Sequence, residues 1–108
     1  MISKVKQNCL IVEIDQFKLY GILDLKKEIT LIFDRNLLDY LKIAKNHLLI
    51  DFIDLLIDEF DINEMLCLIE RQENMEIIQR LNQLFPCSLV HIDKYVDEYN
   101  WVGLMCKI

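Results

Sequence analysis

The chain has 108 residues, the size of one domain, and 54% of them are apolar, so it can bury a core of its own. Two glycines, one proline and three non-tyrosine hydroxyls (Ser3, Thr30, Ser88) exclude Gly-rich phosphate loops, dinucleotide fingerprints and flexible linkers. The net charge of −6, from 18 acids and 12 bases, disfavours duplex and anionic-membrane surfaces, both of which need a basic patch on the protein.

In chain order, the first third predicts strands. Val5, Cys9 and Ile11 alternate imperfectly within residues 4–14, and Asp15-Gln16 offers a turn. Phe17, Leu19, Gly21, Leu23 and Leu25 keep a strict period of two, which lays one apolar face along a strand. Lys26-Lys27 predicts a second turn, after which Ile29, Leu31 and Phe33 continue the alternation. Three strands with short connections predict an antiparallel meander. Gly21 within the second implies a bulge or a close backbone approach.

From Asp34 the period becomes helical. Asn36 can cap a helix whose stripe is Leu37, Leu38, Leu41, Ala44 and Leu48, in phase with Phe52, Leu55 and Leu56. Residues 36–60 are one long helix or two with a joint near Asn46-His47, and two fit the usual helix length better. Asp61-Ile62-Asn63-Glu64 reads as a capping box opening a further helix, with Met65, Leu66, Leu68 and Ile69 as its buried side. Ile77, Ile78, Leu81, Leu84 and Phe85 give another helix, which Pro86 stops. Residues 88–92 and 99–108 read as strands joined by 94–98. The prediction is a single α+β domain over 1–108: an antiparallel sheet, made of the N-terminal three-strand meander plus two C-terminal strands, with two to four central helices packed on it.

Cys9, Cys67, Cys87 and Cys106 contain no C-x-x-C pair and sit among apolar neighbours, so they read as buried thiols rather than zinc ligands or disulfides. The first residues lack the apolar core of a secretory signal, and residues 81–92 are too short and polar to span a bilayer. A cytoplasmic protein with no cofactor, no membrane contact and no direct nucleic-acid contact is expected.

The charge is unevenly placed. Residues 1–50 carry a net +2 and residues 77–108 balance, whereas residues 51–76 hold nine acids and one base, Arg71. At about 100° per residue, His47, Asp51, Asp54, Asp58 and Asp61 fall within an arc of roughly 80° if one helix runs through them. Ile50, Phe52, Ile53, Leu55, Leu56, Ile57 and Phe60 fill most of the remaining circumference. Like charges at these spacings repel by a few tenths of a kcal/mol per pair, and no lysine is interspersed. Any solvated helix face can carry such a run; the functional reading is a docking ridge for a basic protein. Its candidate residues are Asp51, Asp54, Asp58, Glu59 and Asp61. Asp97, Glu98, Tyr99 and Trp101 form a second, aromatic group of the kind interfaces favour.

Catalysis has weaker support. Cys87 and His91 lie four apart on a predicted strand, about 13 Å, too far for the hydrogen bond an activated nucleophile needs. His47 with Asp51, Asp54 and Asp58 could be imagined around a metal, but the Glu-x-x-His pairs of di-iron bundles are missing. No catalytic residue, metal ligand or cofactor is assigned, and the chain is read as a non-enzyme.

In size, acidity, lack of catalytic residues and the ridge Asp51/Asp54/Asp58/Asp61, the chain resembles the immunity proteins that neutralise bacterial toxins, those of contact-dependent growth inhibition and the barstar type among them. The resemblance covers no defined motif. It implies a small inhibitor whose carboxylates stand in for the phosphates gripped by a basic toxin domain, a nuclease being the case acidity fits best, and which acts by occlusion. The alternatives are a structural or adaptor subunit, or a phage anti-defence protein, acting through self-association as a homodimer, and a small metal-dependent enzyme.

Overall fold

The computed structural model describes residues 2–4, 8–14, 16–43, 47–70, 75–92 and 100–108. Ten elements follow in order: β1 (Ile2–Lys4), β2 (Cys9–Ile14), β3 (Phe17–Leu23), β4 (Glu28–Phe33), α1 (Arg35–Ile43), α2 (His47–Phe60), β5 (Glu64–Glu70), α3 (Met75–Leu84), β6 (Cys87–Val90) and β7 (Trp101–Lys107). The strands form one sheet in the order β1-β2-β3-β4-β5-β7-β6. All neighbours are antiparallel except β4 and β5, which run parallel with Glu28 opposite Glu64 and Phe33 opposite Ile69. The fold is α+β, with seven strands and three helices among the described residues, two strands more than expected.

The β2–β3–β4 meander follows its alternation. Leu10, Val12, Leu19, Ile29, Leu31 and Phe33 point to one side and are buried there. Gly21 lies on that side within an unbroken register, so it makes no bulge. A Cβ at this position would stand 3.1 Å from the Ile29 Cδ1 atom, which makes close packing the reason for glycine. The β3–β4 turn is tied by Asp24, whose Oδ1 accepts from the Lys26 and Glu28 amides at 2.8 and 3.0 Å. Of the strand expected over 4–14, Cys9–Ile14 forms β2, and the preceding β1 pairs antiparallel with it, Ile2 opposite Val12.

Residues 36–60 hold two helices, α1 and α2, as the usual helix length favours, and α2 starts at His47. The α1 cap is Asp34 rather than Asn36: its Oδ1 accepts from the Leu37 amide at 2.9 Å, satisfying an otherwise orphaned donor. Phe17 of β3 stacks on Tyr40 of α1, with ring centroids 3.4 Å apart. Arg80 of α3 donates to the Leu41 carbonyl near the end of α1 and pairs with Glu76 at 3.0 Å, tying two helices together through one cation. Leu37, Leu38 and Leu41 of α1, Leu48, Leu49, Phe52, Ile53 and Leu56 of α2, and Ile77 and Leu81 of α3 share one core with the inward strand residues. The three helices therefore cover the same side of the sheet.

Residues 64–70 correct the expected helix. They form β5, the central strand that joins the meander to the C-terminal pair. Met65, Cys67 and Ile69 are buried under the helices, while Leu68, 4% exposed, is buried on the opposite side and lies outside the helix-side core. A strand covered on both faces reads as a continuous apolar run, and such a run carries no period to tell it from a helix. Asp61 accordingly caps no helix start. It follows the last turn of α2 in the left-handed region, φ 50°, with its amide donating to the Ile57 carbonyl at 2.9 Å.

Candidate functional site

The outer surface of α2 is the most uniform charged feature among the described residues. The helix packs on the sheet through Leu48, Leu49, Phe52, Ile53 and Leu56, which leaves His47, Asp51, Asp54, Asp58 and Glu59 exposed. Burial of the inner stripe fixes the rotation of the helix and so the direction of the carboxylates. None of the four acids takes part in an ion pair among the described residues. They repel one another and gain no local partner, an arrangement that costs a few tenths of a kcal/mol per pair and leaves the negative potential facing water.

The structure does not keep the whole acidic block on this surface. Asp61 stands beyond the helix and pairs with Lys27 at 3.3 Å, so the angular projection that placed it on the ridge does not extend to it. Lys27 is itself left-handed, φ 62°, in the β3–β4 turn, and its carbonyl accepts from the Asn63 amide at 3.2 Å. Glu64 and Glu70 belong to β5, where alternation with Met65, Cys67 and Ile69 turns them away from the helices. Glu76 is on α3, paired to Arg80. The ridge thus consists of Asp51, Asp54, Asp58 and Glu59.

Trp101, half-buried, starts β7 opposite Glu70, in alternation with Gly103 and Met105, and so belongs to the side of the sheet without helices. It is not brought together with the α2 acids. Asp97, Glu98 and Tyr99 lie outside the described residues.

That second side is the feature sequence reasoning missed. Register sets Ile11, Tyr20, Ile32, Leu68, Gly103 and Val90 in one row across six strands, and Cys9, Ile22, Thr30, Leu66, Met105 and Ser88 in the next. Gly103 is required here: a Cβ would collide with the Ile92 side chain and come within 3.1 Å of the Val90 carbonyl oxygen. Ile92 therefore lies over β7 at Gly103. Towards β3 the cover stops, and Tyr20 and Ile22 are each 39% exposed.

The cysteines form no disulfide. Cys67 and Cys106 are buried, Cys9 and Cys87 half-buried. Cys87 faces Cys106 directly across β6–β7. Its Sγ donates to the Phe85 and Leu81 carbonyls at 3.2 and 3.5 Å. Burial, then hydrogen bonding to Cys106, pushes the Cys87 thiol up to about 12. Cys106 is pushed up as well, first by its hydrogen bond with Cys67 and then by burial. Both stay protonated at neutral pH, the opposite of an activated nucleophile. His91 is exposed, beyond the end of β6. Among the described residues no group of three His, Cys, Asp or Glu side chains is arranged to hold a metal ion, and no helix is long and apolar enough to cross a membrane.

No protein-family model matches the chain, and no curated protein or solved structure is significantly similar to it.

Proposed function

We propose that this chain is a small protein-binding inhibitor that acts by covering a basic surface, in the manner of an immunity protein that neutralises a bacterial toxin domain in the cytoplasm of the cell that makes it. The observation that carries the reading is the α2 surface: Asp51, Asp54, Asp58 and Glu59, exposed and outside any ion pair among the described residues, on a helix whose inner stripe is packed on the sheet. Such a row attracts a lysine- and arginine-rich site at long range and orients the encounter. Occlusion needs no chemistry from the inhibitor. Acids in place of phosphates suit a nuclease target best, and a target with no basic cleft would remove the reason for the ridge.

The test is capture of partners by the wild-type chain and by Asp54→Lys/Asp58→Lys, at low and at high salt. A basic protein held by the wild type at low salt, and released both by salt and by charge reversal, supports the reading. Equal capture by the two chains at low salt overturns it.

A further inference from the structure

We propose that Cys87 and Cys106 are an oxidation site: a dithiol that closes into a cross-strand disulfide when the chain meets a small-molecule disulfide of the glutathione class, tying the border strand β6 to β7. None of the α2 acids takes part, so the oxidation of this pair does not depend on what they bind.

Strand register brings the two thiols together. Cys87 faces Cys106 across β6–β7, and one residue further out the Lys107 amide donates to the Pro86 carbonyl at 3.0 Å. Facing pairs in an antiparallel ladder alternate between hydrogen-bonded and non-hydrogen-bonded. Pro86 and Lys107 are a pair of the first kind, so Cys87 and Cys106 are one of the second, with Cα atoms about 4.5 Å apart and side chains at their closest. That separation lies within the range of about 4.4–6.8 Å that a disulfide spans. The two sulfurs are already in hydrogen-bond contact, so closing the bond asks little of either strand.

The other cysteines do not share this geometry. Cys67 also hydrogen-bonds to Cys106, but its facing residue on β7 is Leu104, and that of Cys106 on β5 is Met65. Diagonal neighbours of this kind stand about 7–8 Å apart, at or beyond the limit for a bridge without backbone movement. Cys9 is on β2, with β3, β4 and β5 between it and β7.

Reagent enters from the border of the sheet. β6 is paired on one side only, and Cys87 is half-buried where Cys106 is fully buried. Cys87 gives up its proton and attacks one sulfur of the small disulfide, releasing a first small thiol and leaving a mixed disulfide. Cys106 then gives up its proton and attacks the Cys87 sulfur, releasing the second. Two electrons and two protons thus pass from the protein dithiol to the small disulfide, which leaves as two thiols. The Leu81 carbonyl, an acceptor for the Cys87 thiol, also accepts from the Phe85 amide at 2.9 Å and so keeps a partner after oxidation. Burial holds both protons in place, so the pair answers sustained oxidation and not a brief pulse.

The experiment equilibrates the folded wild-type chain, Cys67→Ala and Cys87→Ala with mixtures of oxidised and reduced glutathione at mildly alkaline pH. Free thiols are then alkylated in denaturant and the peptides mapped by mass spectrometry. The expected result is a single link between Cys87 and Cys106, with Cys9 and Cys67 alkylated, and a melting temperature raised by about 10 °C. Dithiothreitol reverses both. Cys67→Ala keeps the link and Cys87→Ala loses it. A wild-type chain that stays reduced in the most oxidising mixture overturns the proposal. So does a link through Cys9 or Cys67, or a glutathione adduct on Cys87 as the end product. The wild-type map decides by itself where a variant does not fold.

Discussion

The two broad surfaces of this molecule are built on opposite plans. On the helix side, α2 turns Leu48, Phe52, Ile53 and Leu56 inward and shows water a row of acids that form no ion pair among the described residues. On the sheet side, charges at the rim meet opposite charges, as Lys18 meets Glu13, and the apolar groups Tyr20 and Ile22 stand in water. A contact made through the acidic face should weaken with salt, whereas one made through apolar groups should be indifferent to salt or favoured by it. A chain can carry both because a sheet with helices on one side has two independent surfaces.

The largest expected effect is at the support beneath the ridge. Phe52, fully buried between α2 and the sheet, should cost about 3–5 kcal/mol when changed to alanine, measured by urea unfolding. A loss below about 1 kcal/mol would mean that α2 is loosely seated and its acids poorly aimed. Next comes the sheet side. Gly103→Ala must push Ile92 or the β6 backbone away, and should cost about 1–3 kcal/mol. A neutral outcome would show that Ile92 does not close over β7 and that the apolar face is wider than described.

The smallest expected effect is a pH dependence under the helix side. Burial raises the Cys87 thiol from an ordinary 9.0 to about 12, so the native state holds its proton more tightly than the unfolded chain does. The resulting stability is complete below pH 9 and is lost as pH rises towards 12. The melting temperature of the wild type should therefore fall over that alkaline window, and Cys87→Ala should make the fall shallower. Parallel curves for the two proteins would remove the thiol from the account.

How much of this was legible in the sequence depends on how local the signal is. Strict alternation through Phe17, Leu19, Gly21 and Leu23 exposed β3 and its neighbours, because one side is buried and the other is not. Helical spacing with Pro86 behind it marks α3, and the acids at 51, 54 and 58 mark the outer side of α2. The β5 strand was hidden, since a segment wrapped on both sides loses its alternation, and Asp61 with Glu64 spelled a helix start at what is a helix end. The apolar sheet face was hidden for a different reason. Ile11, Tyr20, Ile32 and Leu68 become neighbours only through the pairing of four strands, one of which is parallel and distant in sequence.

The sheet ends in strands of very different length from its middle: β1 has three residues and β6 has four, against seven in β5 and β7. Short margins present few bare amides and carbonyls to a passing strand, which is how natural sheets resist growing sideways into fibrils. Crowding of this chain should therefore not drive open-ended growth by strand addition at either border of the sheet.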